Sequence, residues 1–369
     1  MLKQFSVENF KGFRDRIIFN IGSPNNYNFN SEIVENGCVT KGIIYGINGS
    51  GKSNLGLAIF DIITHLTDKQ KLLSSYDFYL NMDNGKDFAK FEYTFCFDGH
   101  EVVYQYEKKN VNTLQNEVLS IDGRQVIFFD FTVKQGKTLL EGSDTLNVSI
   151  NNNSPISRVK YVYNNSILAN NVQNKVFKKF IDFVDHMLLF YSLDSRGYEG
   201  FTTGIESIAE GIVDSGSVEK FQQFLKENAI YYELYGREVN GRKAIYCHFK
   251  NMDADFFSIA STGTRSLALL YYWYLRMKNA SFVFIDEFDA FYHFELSESV
   301  QKYLIQITGV QIFTTTHNTD LMSNDILRPD SYFLLENNNI KAISELTDKE
   351  IRRAHNLQKM YKAGAFDGK

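Results

Sequence analysis

The stretch "YGINGSGKSN", residues 45–54, decides how the rest of this 369-residue chain is read. Gly46-Ile47-Asn48-Gly49-Ser50-Gly51-Lys52-Ser53 fits the pattern GxxxxGK[ST]. A short apolar run, "GIIYG" at 42–46, leads into it. "SNLGLAIFDIITHL" follows, with Leu55, Ile59, Ile62 and Ile63 near helical spacing. Strand, glycine loop and helix in that order make a cradle for phosphates. Glycines let the backbone wrap closely, and the free N–H groups at a helix start face negative charge. Lys52 adds a point charge for the β and γ phosphates, and the Ser53 hydroxyl can ligate Mg2+. The competing reading, a chance glycine turn, is weakened by the flanking strand and helix.

Three stretches downstream bear on the same chemistry. "SFVFIDEFD" reads as a buried strand with Asp286 at its end, placed to hold Mg2+ through water, and Glu287 next to it, placed to polarise an attacking water. Two ordinary acids at a strand end would look the same, but not beside a phosphate loop. "IFTTTHNTD" is another apolar strand, followed by His317, which could sense a γ phosphate and orient the water. The other six histidines (His65, His100, His186, His248, His293, His355) are read as structural. "IASTGTRSLALLYYWYL" opens an apolar helix with Ser261 and Gly263. These residues make either a plain helix cap or a second phosphate-binding surface, and spacing alone leaves the two readings even.

Bulk composition sets limits on function. Hydrophobic residues make up 44% and charged residues 22%, as in soluble globular proteins, and 32 Phe and 22 Tyr against one Trp point to an aromatic core. A net charge of -5 weighs against a surface coated in nucleic acid but leaves room for a local basic groove. The apolar run "LALLYYWYL" at 267–275 is far short of the ~20 residues that span a bilayer. No membrane association is expected. The N-terminus lacks a signal-peptide h-region, and Cys38, Cys96 and Cys247 form no CxxC pair, so a reducing cytoplasm is expected and a cysteine zinc site is not.

Along the chain, "QFSVENF" and "RIIFNI" alternate like strands. Residues 88–133 read as an antiparallel meander with turns at Asp98-Gly99 and Asp122-Gly123. Residues 134–160, ending in "NNNSP", read as a loop; 164–190 and 216–229 read as helical, and 230–250 as strands around "VNGRKA". The α/β rhythm resumes at 258. "YFLLENNNIKAISEL" predicts a last hairpin, and "TDKEIRRAHNLQKMY" a terminal helix capped by Thr347 with Glu350 three residues on. The organisation expected is one domain over 1–369, with 1–66 and 256–369 as nucleotide-binding core and 67–255 as an inserted meander and helical region.

Taken in order, "GINGSGKSN", "STGTRS", "VFIDEFD" and "TTTHN" resemble the motifs of an ABC-type ATPase of the SMC/RecF/OLD kind. The nearest likeness is to the AAA15, or AAA_21-like, group of bacterial ATPases, which lacks coiled coils and occurs in phage-defence and abortive-infection operons. "FSVENFKGFRD", "FEYTFCFDGHEVVYQYE" and "IRRAHNLQKMYKAGAF" are similar to that group's first strand, meander and last helix. The resemblance implies an α/β P-loop NTPase, an ABC-type head with an antiparallel β meander and a helical insertion. It implies ATP and Mg2+ as ligands, held by Gly46, Asn48, Gly49, Ser50, Gly51, Lys52, Ser53 and Asn54, with Ser53 and Asp286 at the metal. Glu287 would be the catalytic glutamate, Ser261 and Gly263 the signature motif, Asp289 the D-loop acid and His317 the switch histidine. Lys11 and Arg14 lie where related heads contact nucleotide. Two departures stand out: Ala260 and Thr262 in the signature, and Phe294 where relatives tend to have proline. In such families two copies sandwich two ATP molecules, so a homodimer is expected, alone or within a larger assembly.

The resemblance favours an ATPase switch that controls a separate effector protein, a toxin or nuclease, in anti-phage defence, since no second catalytic constellation is visible in the sequence. A self-contained DNA- or RNA-processing enzyme is the alternative. The basic tracts "NKVFKK" (174–179) and "RRAHNLQKMYK" (352–362) allow nucleic acid contact, although each also reads as the wet face of an amphipathic helix. A transporter subunit ranks third.

Overall fold

The computed structural model describes residues 1–69, 73–144, 146, 156–191, 198–199, 207–239, 241–290 and 294–367. Two seven-stranded sheets organise it. The central one runs in the order Tyr198–Glu199, Met187–Tyr191, Phe282–Asp286, Gln311–Thr315, Lys41–Tyr45, Tyr332–Glu336, Asn339–Ala342. Its five inner strands are parallel, and an antiparallel strand closes each edge.

Both faces of this sheet are covered, so its strands read as unbroken apolar runs rather than as alternating ones. The pleat sorts them. Ile44, Phe282, Phe284, Phe313 and Phe333 join one core; Ile43, Tyr45, Val283, Ile285, Ile312 and Tyr332 join the other. The first core is filled by the helix Lys52–Phe60, the helix Val172–Asp185 and the inner face of the second sheet. The other lies under the helices Thr262–Met277 and Val218–Glu227, with Trp273 fully buried. Next to them is a three-stranded sheet of Leu234–Val239, Arg242–His248 and Asp253–Asp255.

The second large sheet is antiparallel, in the order Gln135–Thr138, Arg124–Asp130, Thr113–Ile121, His100–Asn110, Ala89–Phe97, Leu2–Glu8, Ile17–Asn20. Its predicted turns are present: Asp98 and Gly99 have φ of 53° and 85°, and Asp122 and Gly123 have 49° and 74°. Two successive positive φ values make the turn whose twist matches a hairpin. Rings line the inner face, with Phe91 stacked on Tyr106 at 4.8 Å and Tyr93 on Phe95 at 6.0 Å.

A buried polar cluster ties this sheet to the end of the helix Lys52–Phe60. Asp61, just past that helix, accepts hydrogen bonds from Tyr79 Oη (3.0 Å), Tyr106 Oη (2.9 Å) and Lys108 Nζ (2.8 Å). Lys108 also donates to Thr64 Oγ1 at 2.7 Å, and the side chains of Asp61 and Lys108 are both 0% exposed. A fully buried ion pair persists only when its remaining hydrogen-bonding capacity is met, as it is here.

Several elements differ from the sequence reading. The helical stretch expected over 164–190 is two helices, Arg158–Asn165 and Val172–Asp185, followed by the strand Met187–Tyr191 beside Phe282–Asp286. A five-residue apolar run buried on both sides has no period to separate strand from helix. That strand, in the stretch read as insertion, completes the parallel sheet, whereas Leu2–Glu8 and Ile17–Asn20 pair with the meander. The loop expected over 134–160 contains the strand Gln135–Thr138, and its "NNNSP" portion lies outside the described residues. The terminal helix is short, Leu357–Lys362, capped by Asn356 rather than Thr347. Upstream of it, the Asn324 amide donates to the carbonyls of Arg352, Arg353 and His355, which takes those groups out of a helical ladder. Cys38, Cys96 and Cys247 are free thiols. Among the described residues no helix is long and apolar enough to cross a membrane.

Candidate active site

The phosphate loop, the acid pair and the histidine follow three neighbouring strands at one end of the parallel sheet. Lys41–Tyr45 leads into Gly46; Gln311–Thr315, beside it, leads into His317; Phe282–Asp286, one strand further, ends in Asp286 and Glu287. Crevices beyond the carboxyl ends of parallel strands are where α/β sheets bind ligands.

The loop has the backbone its sequence requires. Gly51 sits at φ 102° as the residue before the helix Lys52–Phe60, a conformation closed to side chains. Gly56 lets that helix lie directly on the acid strand, where an added Cβ would come within 2.7 Å of the Phe284 ring. At the first glycine, a Cβ on Gly46 would fall 2.4 Å from Ser50 Oγ and 2.6 Å from the Leu335 carbonyl. Ile47, Asn48, Gly49 and Ser53 are exposed, and Asn54 is half-buried.

Lys52 is 5% exposed and turns back over the loop. Its Nζ donates to the Gly46 carbonyl at 2.9 Å and lies 3.0 Å from His317 Nε2. His317 Nε2 stands 3.9 Å from Glu287 Oε1. Burial lowers the Lys52 pKa, and the nearby carboxylates of Glu287 and Asp286 oppose that shift. Burial raises the Glu287 pKa, and the adjacent Asp286 raises it further. A carboxylate made more basic by its surroundings suits proton abstraction.

Thr315 and Thr316 hold this arrangement in place, and sequence reasoning did not single them out. Thr315 Oγ1 donates to Asp286 Oδ1 at 2.7 Å and accepts from the Glu287 N–H at 2.7 Å. One hydroxyl therefore sets both acids. Glu287 takes φ 45°, a left-handed conformation unusual for its residue type and a mark of function where neighbouring contacts over-determine it. Thr316 Oγ1 donates to Asp289 Oδ2 at 2.6 Å and accepts from the Asn318 N–H at 2.8 Å. Burial raises the Asp289 pKa, and the Thr316 hydroxyl opposes that. Three consecutive threonines ending a buried strand were the available signal.

Ser261 and Gly263 do not join this cluster within one chain. Ser261 is exposed and caps the helix Thr262–Met277, its Oγ accepting from the Thr264 N–H at 3.2 Å and lying 2.9 Å from Thr264 Oγ1. That helix packs on the opposite face of the sheet from the helix that follows the phosphate loop. Lys11 donates from Nζ to the Asp77 carbonyl at 2.8 Å. Of the segment 288–296, residues 291–293 lie outside the described residues, as does the side chain of Phe294, the site of the second departure.

The donor set fits a nucleotide triphosphate with Mg2+. Ser50 Oγ is buried without a hydrogen-bond partner, in a loop whose exposed residues surround a helix N-terminus. The Ser53 hydroxyl and the Asp286 carboxylate are hard oxygen donors of the kind Mg2+ takes.

A family model described as "AAA domain, putative AbiEii toxin, Type IV TA system" matches residues 130–323, just over half of the chain. The chain belongs to this AAA domain family. The matched span contains the acid pair, the histidine and Ser261, while the phosphate loop precedes it. Among solved structures, the chain is similar to an SMC head domain from Thermotoga maritima, with 15% identity, a TM-score of 0.42, and coverage of 92% of this chain and 97% of that one. It is also similar to an SmcHead bound to the C-winged helix domain of ScpA, with 15% identity, the same coverages and a TM-score of 0.48. No curated protein matches it. The protein is thus a mixed α/β P-loop NTPase of the AAA type, with an antiparallel meander beside its nucleotide-binding sheet.

Proposed function

We propose that the protein binds and hydrolyses ATP at Gly46–Ser53, and that bound nucleotide controls its association with a second copy of itself. The observation that carries the reading is the meeting of Lys52, His317 and Glu287 at 3.0 and 3.9 Å, at the end of the strand layer that bears the phosphate loop.

In this reading the loop amides and Lys52 bind the phosphates, Lys52 exchanging its bond to the Gly46 carbonyl for phosphate oxygens. Ser53 and Asp286 would hold Mg2+, which would supply positive charge beside the phosphates. Glu287 accepts the proton of the attacking water, and His317 orients that water and contacts the γ phosphate. Thr315 keeps the two acids in register. Ser261 and Gly263 face away from their own nucleotide, which suits a role on the partner's, with Asp289 near the shared seam. Hydrolysis is then a property of the dimer, and nucleotide state becomes a change of shape.

We take the whole chain as one such domain acting in the cytoplasm, its core of 1–66 and 256–369 completed by the strand Met187–Tyr191 from within 67–255. Given the toxin–antitoxin wording attached to the family, the output is assigned to a separate effector, a toxin or nuclease, in defence against phage. The test is ATPase activity and solution mass of the parent and of Glu287→Gln, with and without ATP. The variant should bind ATP, lose turnover by about 10²–10⁴-fold and accumulate as a dimer. Normal turnover in the variant overturns the site, and ATP-independent mass overturns the switch.

A further inference from the structure

Two buried tyrosines share a core at the base of the phosphate loop; one has its hydroxyl in use and the other does not. The rings of Tyr45 and Tyr332 lie 6.2 Å apart. Tyr332 Oη lies 2.6 Å from the Ser323 carbonyl and 3.0 Å from that of Leu321, and it accepts from the Ser323 N–H at 3.1 Å. Tyr45 Oη is buried and, among the described residues, has no hydrogen-bond partner. A polar group buried unpaired costs free energy, and phenylalanine would fill the same volume without that cost.

The surroundings of Tyr45 supply an acceptor. Tyr45 ends the strand Lys41–Tyr45 and hands the chain to Gly46. In the neighbouring strand Thr314 lies opposite Ile43 and Thr315 opposite Ile44, and the Thr316 N–H reaches the Ile44 carbonyl at 3.3 Å. Thr316 therefore stands beside Tyr45, and since residues two apart share a face, both lie on the face of Ile43 and Thr314. Thr316 Oγ1 donates to Asp289 Oδ2 at 2.6 Å, which brings that carboxylate to the same face. Burial raises the Tyr45 pKa well above the ordinary tyrosine value; Tyr332 adds to the shift, and so do Asp289 and Asp320. The hydroxyl thus keeps its proton and is a donor. Asp320 already accepts from Gln358 Nε2 and lies 3.9 Å from Lys362 Nζ. The half-buried Asp289 takes one side-chain donor, Thr316, among the described residues, and a carboxylate has room for more. Lys52 Nζ meanwhile donates to the Gly46 carbonyl at 2.9 Å and so fastens the peptide that follows Tyr45.

We propose that Tyr45 is a positioning residue: when a nucleoside triphosphate draws Lys52 off the Gly46 carbonyl, the Tyr45 hydroxyl donates to the Asp289 carboxylate. This rests on the phosphate-loop reading above. The hydroxyl is spare at rest because its acceptor comes within reach only once the peptide after Tyr45 is released. Its bond then ties the strand under the phosphates to the acid assigned to the seam between copies. Occupancy of the loop is thereby passed to Asp289 by a group that touches no phosphate.

The experiment replaces Tyr45 by Phe in the full chain, which removes the hydroxyl and keeps the ring. Without nucleotide, Tyr45→Phe should melt no lower than the parent, because the lost group has no partner there. ATP affinity is read by calorimetry in a Glu287→Gln background, so that ATP persists through the titration. There Tyr45→Phe should weaken ATP by roughly 10- to 100-fold, the range for a hydrogen bond to a charged group. The weakening should disappear when Asp289→Ala is also present and persist beside Asp320→Ala, a pattern that general loosening of the fold would not give. A nucleotide-free Tm more than about 2 °C below the parent means that the hydroxyl is already bonded at rest, and overturns the proposal. A weakening that survives Asp289→Ala, or that disappears beside Asp320→Ala, overturns it too. Lys52→Ala separates the two readings. If it loses ATP while Tyr45→Phe keeps the parent's affinity, the role of Tyr45 falls and the phosphate site stands. If Lys52→Ala binds ATP as the parent does, the phosphate-loop reading fails and this inference with it.

Discussion

Replacing Lys108 by Met tests whether the buried cluster at Asp61 fastens the phosphate-loop helix to the meander. The substitution removes two hydrogen bonds, at 2.8 and 2.7 Å, and leaves the Asp61 carboxylate fully buried with two tyrosine hydroxyls and no cation. Removing one partner of such a pair costs about 3–5 kcal/mol. At about 2.1 cal/mol/K per residue, a chain of 369 residues unfolds with an entropy of about 0.8 kcal/mol/K, so the expected drop in Tm is about 4–6 °C. Asp61→Asn should cost a comparable amount, because it strands the ammonium instead. The double variant should lose about 2–3 kcal/mol less than the sum of the two, since neither charge is then left alone. Thermal melts at a fixed scan rate on all four proteins complete the cycle. Below the transition, ATP binding should match the parent, since neither residue touches Lys52 or Ser53. A drop under about 1 °C for Lys108→Met, or additive single variants, would refute the account of the pair.

Other expectations concern the site itself. Thr315→Val keeps the strand's shape but frees Asp286 and the Glu287 N–H, so turnover should fall by about 10–100-fold with nucleotide affinity nearly kept, as read by a kcat-against-KM split. The raised Glu287 pKa sets a pH dependence: the base is lost as pH falls through a value above the ordinary glutamate range, so kcat should decline on the acid side before the fold does. The same shift makes the ionised form unfavourable in the folded state, so Glu287→Gln should melt no lower than the parent at pH 8. Ser261→Asp retains a good helix cap while placing a negative charge where a partner's phosphate is proposed to sit. Its Tm should stay within about 1–2 °C of the parent, with ATP-dependent dimer and turnover lost; intact turnover would remove Ser261 from the site.

Much of the site was legible because its chemistry is local. The phosphate loop carries glycine spacing, a lysine and a hydroxyl within eight residues, and the acid pair and histidine each close an apolar run. The meander was legible from strict alternation and two Asp-Gly turns. Long-range pairing was not. Nothing in "MLLFY" announces that it lies beside the acid strand, and nothing near residue 352 announces that Asn324 will take its carbonyls. Thr315 looks like any strand threonine until the neighbouring strand brings Asp286 within 2.7 Å. Asp61 reads as an ordinary polar residue late in a helix, and its burial follows only from the three meander and loop residues that reach it, Tyr79, Tyr106 and Lys108.

The position of the phosphate-loop strand has a consequence for how the chain is made. Among the described residues, Lys41–Tyr45 pairs with Gln311–Thr315 and Tyr332–Glu336 alone. On the ribosome it therefore waits for about 270 further residues before its first partner exists. At about 5–20 residues per second that wait lasts about 15–55 s. Throughout it, an apolar strand edge stays open to pairing with other nascent chains. Yield of soluble protein should therefore depend on translation speed and on chaperones that cover such edges, and a ribosome stalled between residues 60 and 300 would release a product with a phosphate loop but no sheet to hold it.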